Sequence, residues 1–267
     1  MAATYDQILT ERRDRVLLVT LNRPEKLNAW TPKMLAEMVA AITEANEDPD
    51  LGAIVVTGAG RGFCAGADIE AVFGPNLGGH DAAAGDGQQE RPAALDWVAF
   101  CRSSKPLVAA INGPAIGVGL TMVLPFDQIL AADGAKLSIR FVKMGLVPEL
   151  ASTHFLVTRC GLGAASWLAL SGATVLADEA ARLRLVDRVS APDRLVADAV
   201  EVANELGSNP PFAVRMIKDL LTANAAESDL LAAQKREGAA LKRAYASPEH
   251  HDAVRAFLDK RSAPAAR

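Results

Sequence analysis

Two glycine-rich segments could bind a ligand through their backbone rather than through their side chains. The first, residues 58–69, reads GAGRGFCAGADI and follows a short β-type run. The second, residues 109–120, reads AAINGPAIGVGL and passes from a strand through a turn into a helix that begins near Val118. Small residues let N–H groups approach a ligand closely, and the first amides of a helix are free to donate. Two such loops can therefore supply two N–H groups to one oxygen atom.

The first segment matches neither of the common nucleotide-binding loops. A GxGxxG pattern that starts at Gly58 and Gly60 needs its third glycine at position 63, where the chain has Phe63. The Gly-Lys-Ser/Thr of a P-loop does not follow either. Both mismatches disfavour nucleotide binding by this loop.

Cysteine and histidine residues give little support to nucleophilic or metal chemistry. Cys64 lies in the first glycine-rich segment and could act as a nucleophile. The sequence shows no His/Asp arrangement around it that could activate the thiol, which favours a packing role. His154 has no Cys or carboxylate at ligand spacing, and His250 and His251 lie in a charged helical stretch typical of a solvated surface. We therefore expect no metal site.

Strands and helices alternate in the first half of the chain and position the two loops. Thr31 as N-cap and Pro32 at the first helical position predict an amphipathic helix that lasts to about Glu47. Short apolar runs predict strands at residues 15–21, 53–57, 106–111 and 128–132.

The remaining segments indicate how the chain is divided. Residues 74–94 are polar and glycine-rich without periodicity, which we interpret as a mobile surface segment. Beyond about residue 190 the pattern is helical, with a helix start at Pro210 and Pro211. The sequence therefore predicts an α/β fold with a core at residues 1–190 and a helical part at residues 191–267.

Composition limits the classes of protein to consider. The 267 residues can bury a full core, and no apolar run reaches the roughly 18 residues that a membrane span needs. The N-terminus lacks the apolar region of a secretory signal, and the three cysteines form no CxxC, so we expect a cytoplasmic protein without disulfides or structural zinc. The net charge of −4 disfavours nucleic acid as a partner, and an anionic ligand would need local cations.

Four motifs together resemble the crotonase (enoyl-CoA hydratase/isomerase) superfamily. They are NRPEKLNA at residues 22–29, FCAGADI at 63–69, KPLVAAINGPAIGVG at 105–119 and PFAVRMIK at 211–218. The resemblance covers about residues 5–262 in the right order. It implies a crotonase-like spiral of ββα turns that binds an acyl-CoA, with a helical C-terminal trimerisation region. A homotrimer or dimer of trimers is the implied assembly.

The resemblance also implies roles for the two loops and for residues around them. In the family these loops form an oxyanion hole for the thioester carbonyl of an acyl-CoA, and the matching donors are the backbone N–H groups of Ala67 and Val118. No further cofactor is implied, because coenzyme A is part of the substrate. Arg23 is a further candidate cation for its phosphates. The implied substrate- and CoA-binding residues are Lys26, Leu27, Ala29, Ala65, Asp68, Ile69, Ile116, Gly117, Thr121, Phe141, Pro148, Phe257 and Lys260, the last two in a final helix that reaches a neighbouring subunit.

Three positions bear on which reaction is catalysed. The hydratases of this family carry two glutamates, and the matching positions hold Thr121 and Phe141, which makes efficient hydration doubtful. Glu149 matches instead the single proton-carrying glutamate of the Δ3,Δ2-enoyl-CoA isomerases. Apolar neighbours are expected to desolvate this carboxylate and to raise its pKa. A plainer interpretation places Glu149 in the first turn of a helix, where the helix dipole favours a carboxylate.

Three functions follow from these residues. The first is an isomerase of fatty-acid metabolism that shifts the double bond of a 3-enoyl-CoA to the 2 position, with Glu149 as the catalytic residue. The second is an enoyl-CoA hydratase or another reaction that uses the same oxyanion hole. The third, from a different class, is a catalytically weak acyl-CoA-binding protein.

Overall fold

The chain forms a mixed α/β fold with two sheets. The computed structural model describes residues 4–73 and 95–262, so the predicted mobile segment lies outside the described residues. The described strands are β1 (Ile8–Arg13), β2 (Val16–Leu21), β3 (Ala53–Gly58), β4 (Leu107–Ile111), β5 (Ala115–Ile116), β6 (Gln128–Ala132), β7 (Lys136–Ser138), β8 (Thr174–Leu176) and β9 (Arg188–Ser190).

Ten helices are described around these strands, and short 3-10 turns cover Pro24–Lys26 and Arg140–Met144. The fifth helix is interrupted at Gly161, whose backbone is not helical. None of the described helices is long and apolar enough to cross a membrane. The helices are α1 (Pro32–Glu47), α2 (Ile69–Phe73), α3 (Trp97–Ser103), α4 (Val118–Thr121), α5 (Ser152–Ser171), α6 (Ala177–Arg182), α7 (Leu195–Gly207), α8 (Pro211–Asn224), α9 (Leu230–Tyr245) and α10 (Pro248–Ser262).

The larger sheet places the two glycine-rich loops side by side. Its strand order is β1-β2-β3-β4-β6-β9, and every neighbouring pair is parallel except β1 with β2. Strands β3 and β4 are buried along most of their length and pair directly, with Thr57 opposite Ala110 near their carboxyl ends. Because parallel neighbours end at the same edge of a sheet, the loops that follow these two strands leave together.

The predicted elements of the first half are confirmed. Helix α1 begins after Thr31, whose side chain accepts a hydrogen bond from the N–H of Met34, and it ends at Glu47. Strands β2, β3, β4 and β6 lie within one residue of their predicted bounds. The other two strands of the larger sheet, β1 and β9, are not predicted from the sequence, because β1 is mostly exposed and β9 has only three residues.

Helix α7 packs on the larger sheet, against β2, β3, β4 and β6. Its buried side is formed by Leu195, Ala199 and Ala203, small or aliphatic residues at helical spacing. The boundary that the sequence predicts near residue 190 therefore places α7, which packs on the core, in the C-terminal part of the chain.

A buried ion pair fixes the next helix, α8, to the core. The ammonium group of Lys218, which is only 5% exposed, donates to the carboxylate of Asp127 at 2.7 Å and to the carbonyl of Ser104 at 2.9 Å. Asp127 also accepts from Arg102 at 3.1 Å and from the N–H of Leu107, at the start of β4, at 2.8 Å. Burial lowers the pKa of Lys218, and the nearby carboxylate opposes that shift.

Replacing Asp127 by alanine should destabilise the fold, because it leaves the Lys218 ammonium buried without its counter-ion. We expect the free energy of unfolding to fall by about 3–5 kcal/mol, measured by urea denaturation at fixed protein concentration. Adding Lys218→Met to Asp127→Ala should restore part of the loss. The control Asp133→Ala removes an exposed carboxylate and should change little. Equal stability of Asp127→Ala and Asp133→Ala would contradict the role of the ion pair.

Candidate active site

A cavity of about 860 Å3 lies where the two glycine-rich loops leave β3 and β4, and most of its wall is apolar. A separate cavity of about 510 Å3 contains none of the residues predicted for the site. The predicted site residues that line the larger cavity come from both loops and from the segment before α5. They are Ala65, Ala67, Ile69, Ile116, Gly117, Val118, Phe141 and Glu149.

The two loops are hydrogen-bonded to each other. Cys64 donates its N–H to the carbonyl of Pro114 at 3.0 Å, and its own carbonyl accepts the N–H of Ile116 at 3.0 Å, which forms a short parallel bridge to Ala115. Gly119 packs directly on this bridge, since a Cβ added there would lie 2.2 Å from the carbonyl oxygen of Cys64. The absence of a side chain at Gly119 therefore allows the loops to approach this closely.

Each loop carries a free amide on the cavity wall. Ala67 follows Gly66, which has a φ of 111°, and Val118 follows Gly117, which has a φ of 55°. Within the described parts of the chain neither amide donates a hydrogen bond, whereas the neighbouring N–H of Asp68 donates to a carbonyl. Two free donors on one cavity can stabilise an oxyanion, and each such donor is worth roughly 3–4 kcal/mol in a transition state.

Glu149 places its carboxylate on the wall of the same cavity, where the residue stays partly open to solvent in the isolated chain. Burial raises its pKa, and a hydrogen bond that its carboxylate accepts from the hydroxyl of Thr121 at 2.6 Å partly opposes this shift. Three apolar residues of the same segment, Leu146, Val147 and Leu150, line the cavity with it. A carboxylate with a raised pKa is suited to taking up and returning a proton.

The backbone around Glu149 is not the first turn of a helix that the plainer interpretation of the sequence expects. Helix α5 begins only at Ser152, so Glu149 precedes the helix instead of lying in its first turn. Leu150 and Ala151 both adopt the left-handed conformation, with φ of 57° and 52°, which costs of order 1 kcal/mol or more for each residue. The hydroxyl of Ser152 donates to the carbonyl of Glu149 at 2.5 Å and holds this turn.

Several cavity-lining residues were not identified from the sequence. Leu35 and Met38 lie three residues apart on α1, so their helical spacing indicates burial but not the cavity that they face. Trp97, whose indole N–H donates to the carbonyl of Met122 at 2.8 Å, also lines the cavity. The lining residues of this kind are Trp30, Leu35, Met38, Gly66, Val72, Leu95, Trp97, Met122, Arg140, Lys143 and Met144.

Other predicted binding residues are placed beside the cavity or away from it. Arg23 was a candidate cation for phosphates, but its guanidinium is paired with Asp68 at 2.9 Å and donates to the carbonyl of Ala29 at 2.7 Å. The pairing with Arg23 lowers the pKa of Asp68 and fixes the first loop. The predicted residues outside the cavity lining are Lys26, Leu27, Ala29, Asp68, Thr121, Pro148 and Phe257; the side chain of Lys260 is outside the described part.

Cys64 has the packing role that the sequence favoured. Its side chain is completely buried, and this burial raises the pKa of the thiol to about 11, so the thiol stays protonated near neutral pH. Among residues 4–73 and 95–262, no group of three or more His, Cys, Asp or Glu side chains could hold a metal ion.

The chain is similar in sequence to known enzymes. The sequence profile described as Enoyl-CoA hydratase/isomerase matches residues 11–265. The chain is 34% identical over 259 residues to the Mycobacterium bovis protein named "Probable enoyl-CoA hydratase echA8", with 97% of each chain covered. It is 32% identical over 257 residues to the 1,2-epoxyphenylacetyl-CoA isomerase of Escherichia coli, with 96% of each covered.

The fold is likewise similar to solved structures. An enoyl-CoA hydratase from Bacillus anthracis superposes with a TM-score of 0.82 at 27% identity, and the match covers 96% of this chain and 97% of the other. The mixed α/β fold described above is therefore the fold of these enzymes.

Gly119→Ala should disrupt the pairing of the two loops, because its Cβ would overlap the carbonyl oxygen of Cys64. We expect a loss of about 1–3 kcal/mol in the free energy of unfolding, together with shifted NMR signals for the amides of Ala67 and Val118. Gly163→Ala is the matched control, since Gly163 is exposed in α5 and has open space around its Cα. This control should be neutral or slightly stabilising. Unchanged amide signals in Gly119→Ala would show that the loops do not depend on this contact.

Proposed function

The chain belongs to the enoyl-CoA hydratase/isomerase family, and from this premise we propose that it is an acyl-CoA enzyme that moves the double bond of a 3-enoyl-CoA to the 2 position. One observation carries the proposal. Glu149 is the only carboxylate among the described residues that line the cavity, and it shares that cavity with the two free amides. This arrangement suits a reaction that needs one base and one oxyanion hole.

The proposed reaction transfers one proton between two carbon atoms of the substrate. The thioester carbonyl oxygen accepts hydrogen bonds from the amides of Ala67 and Val118, which makes the protons on C2 acidic. The carboxylate of Glu149 removes one C2 proton, and the electron pair moves into a dienolate whose negative oxygen these amides stabilise. Glu149 then returns the proton to C4, which leaves a double bond between C2 and C3. No water or redox partner is consumed.

The environment of Glu149 supports this role. A base must be ionised to accept the proton, so turnover should be lost as the pH falls through the pKa of Glu149. Partial desolvation raises that pKa, so the loss should begin at a higher pH than for a fully solvated glutamate. Hydration would also need a bound water to be oriented and deprotonated. Thr121 and Phe141 stand where the hydratases that this chain resembles have their two glutamates, which favours isomerisation.

A second candidate is hydration of a 2-enoyl-CoA, favoured by the names of several relatives. The Mycobacterium bovis relative and a short-chain-enoyl-CoA hydratase from Clostridium acetobutylicum are both named as hydratases. Hydration would use the same two amides and would take the proton of water through Glu149. A catalytically weak acyl-CoA-binding protein would bind the thioester without either reaction.

We also propose that the protein assembles as a homotrimer or a dimer of trimers. Large apolar side chains are exposed on several helices of the isolated chain, including Leu162 and Leu170 on α5 and Leu230 on α9, each at least 70% exposed. Phe257 on α10 is 61% exposed. Apolar surface of this extent is typical of protein interfaces.

Replacing Glu149 by glutamine keeps the size of the side chain and removes the ability to accept a proton. We expect kcat for 3-enoyl-CoA to fall by about 10²–10⁴-fold with little change in KM. The measurement is the absorbance of the newly conjugated thioester. Glu201→Gln, which changes an exposed glutamate on α7, is the control and should keep normal turnover. Loss of conjugated absorbance from 2-enoyl-CoA, with no gain from 3-enoyl-CoA, would identify a hydratase instead, and tight binding with neither change would identify a binding protein.

The proposed assembly predicts a molecular mass of three or six chains in sedimentation-velocity experiments. The species should persist on dilution to micromolar concentration, because apolar interfaces of this kind are typical of permanent oligomers. A single species with the mass of one chain under these conditions would contradict the proposal.

A further inference from the structure

The hydroxyl group of Thr121 lies directly behind the carboxylate of Glu149. Its Oγ1 is 2.6 Å from Oε1 of Glu149 and 3.4 Å from the carbonyl oxygen of Gly117. A threonine hydroxyl has only one proton to donate, and the much shorter contact identifies the carboxylate as its acceptor. Thr121 is fully buried and is absent from the cavity lining, so it contacts the base and not the space where a substrate binds.

Thr121 is itself held in place by the second loop. It is the last residue of α4, one turn after the free amide of Val118, and its own N–H donates to the carbonyl of Gly117 at 3.0 Å. A β-branched side chain in such a turn has few rotamers available. The hydroxyl therefore has a fixed position relative to the amide of Val118.

Glu149 reaches this hydroxyl from a separate part of the chain. It lies in the turn before α5, where Ser152 holds its carbonyl, and the two partners are 28 residues apart in sequence. The Thr121–Glu149 hydrogen bond is thus a direct connection between the loop that carries an oxyanion donor and the group that carries the proton.

We propose that Thr121 is a positioning residue that binds Oε1 of Glu149 and leaves the other carboxylate oxygen, Oε2, to carry the proton between C2 and C4; this inference rests on the function proposed above. The hydrogen bond persists through the whole reaction. In the carboxylate, Oε1 accepts from Thr121, and after Oε2 takes the C2 proton, Oε1 is the carbonyl oxygen of the acid and still accepts. The hydroxyl proton of Thr121 is never transferred.

The sequence resemblance implies a different role for Thr121. It places this residue among those that bind the substrate, at a position where the hydratases carry a glutamate. A proton transfer by Glu149 alone would also make Thr121 dispensable for isomerisation. The hydrogen bond to Oε1 assigns it a contribution through Glu149 instead.

The hydrogen bond also affects the ionisation of Glu149. It stabilises the charged form, whereas burial destabilises it, so removing the hydroxyl should raise the pKa of Glu149. Arg140 and Lys143 are the other charged residues among those described on the cavity lining. Both remain in the variants below, so a change in the pKa of Glu149 reports the loss of the hydroxyl.

The kinetic test compares Thr121→Val, which has the shape of threonine without its hydroxyl, with Thr121→Ser, which keeps the hydroxyl. We expect Thr121→Val to lower kcat for 3-enoyl-CoA by about 10- to 100-fold, as for the loss of a hydrogen bond to a charged group, with little change in KM. The acid limb of its pH–kcat profile should move to higher pH. Thr121→Ser should stay within a few-fold of the normal rate and keep the normal profile.

Two further variants separate this role from a general effect of losing a buried hydroxyl. Thr57→Val removes a buried hydroxyl that donates to the carbonyl of Ala110 within the sheet, and it should leave the pH profile unchanged. Thr121→Ala provides a second variant without the hydroxyl if Thr121→Val unfolds. A normal kcat and an unmoved acid limb in a folded Thr121→Val or Thr121→Ala protein would overturn the proposal.

A measurement that needs no turnover distinguishes this proposal from the proposed function. The carboxyl carbon of Glu149 can be followed by NMR in protein labelled with 13C-glutamate and assigned with the Glu149→Gln variant. Its pKa should rise in Thr121→Val and stay normal in Thr121→Ser. If the pKa of Glu149 follows this pattern while the native protein fails to isomerise 3-enoyl-CoA, the positioning role of Thr121 stands and the proposed isomerase function is wrong. An unchanged titration in Thr121→Val overturns the positioning.

Discussion

The hydrogen-bonded bridge between the two glycine-rich loops is the contact on which the site depends. Parallel pairing of β3 with β4 brings the loops to one edge of the sheet, but the bridge from Cys64 to Ala115 sets how closely they approach. That approach requires a glycine at position 119. It also places α4 against the first loop, so a free amide from each loop reaches the same cavity. The position of Thr121, one helical turn further on, follows from the same contact.

The proposed oxyanion hole and the proposed base depend on different kinds of interaction. The amides depend on backbone geometry, since a glycine with positive φ, Gly66 or Gly117, precedes each donor. The proposed base depends on the carboxylate of Glu149, its apolar surroundings and its hydrogen bond from Thr121. This separation explains how one fold can serve both the hydratase and the isomerase named among its relatives. The backbone geometry belongs to the fold of the family, whereas the choice of reaction depends on a few side chains.

Several charged residues of this protein stabilise the scaffold instead of facing the cavity. Arg23 is paired with Asp68 across the first loop, and Lys218 with Asp127 beneath α8. In both pairs the side chains are largely buried, so removal of one partner leaves the other charge poorly solvated. A cation that holds the scaffold in this way is less available to bind the phosphates of a ligand. Composition alone does not show which cations are available to a ligand, because this depends on the carboxylate that each cation contacts in the fold.

Local patterns in the sequence determined the regular elements that carry the site. The Thr31 cap, the helical spacing of α1 and the apolar runs of the central strands specify those elements because each depends on residues within a few positions of one another. The motifs also identified Ala67, Val118 and Glu149 as residues that share one cavity, though their roles remain predictions. Strand β1 is not predicted, because its mostly exposed residues form no hydrophobic pattern. Only the tertiary structure paired Arg23 with Asp68, 45 residues away, and Thr121 with Glu149. Such contacts depend on strand order and loop pairing, which bring together residues that no local pattern relates.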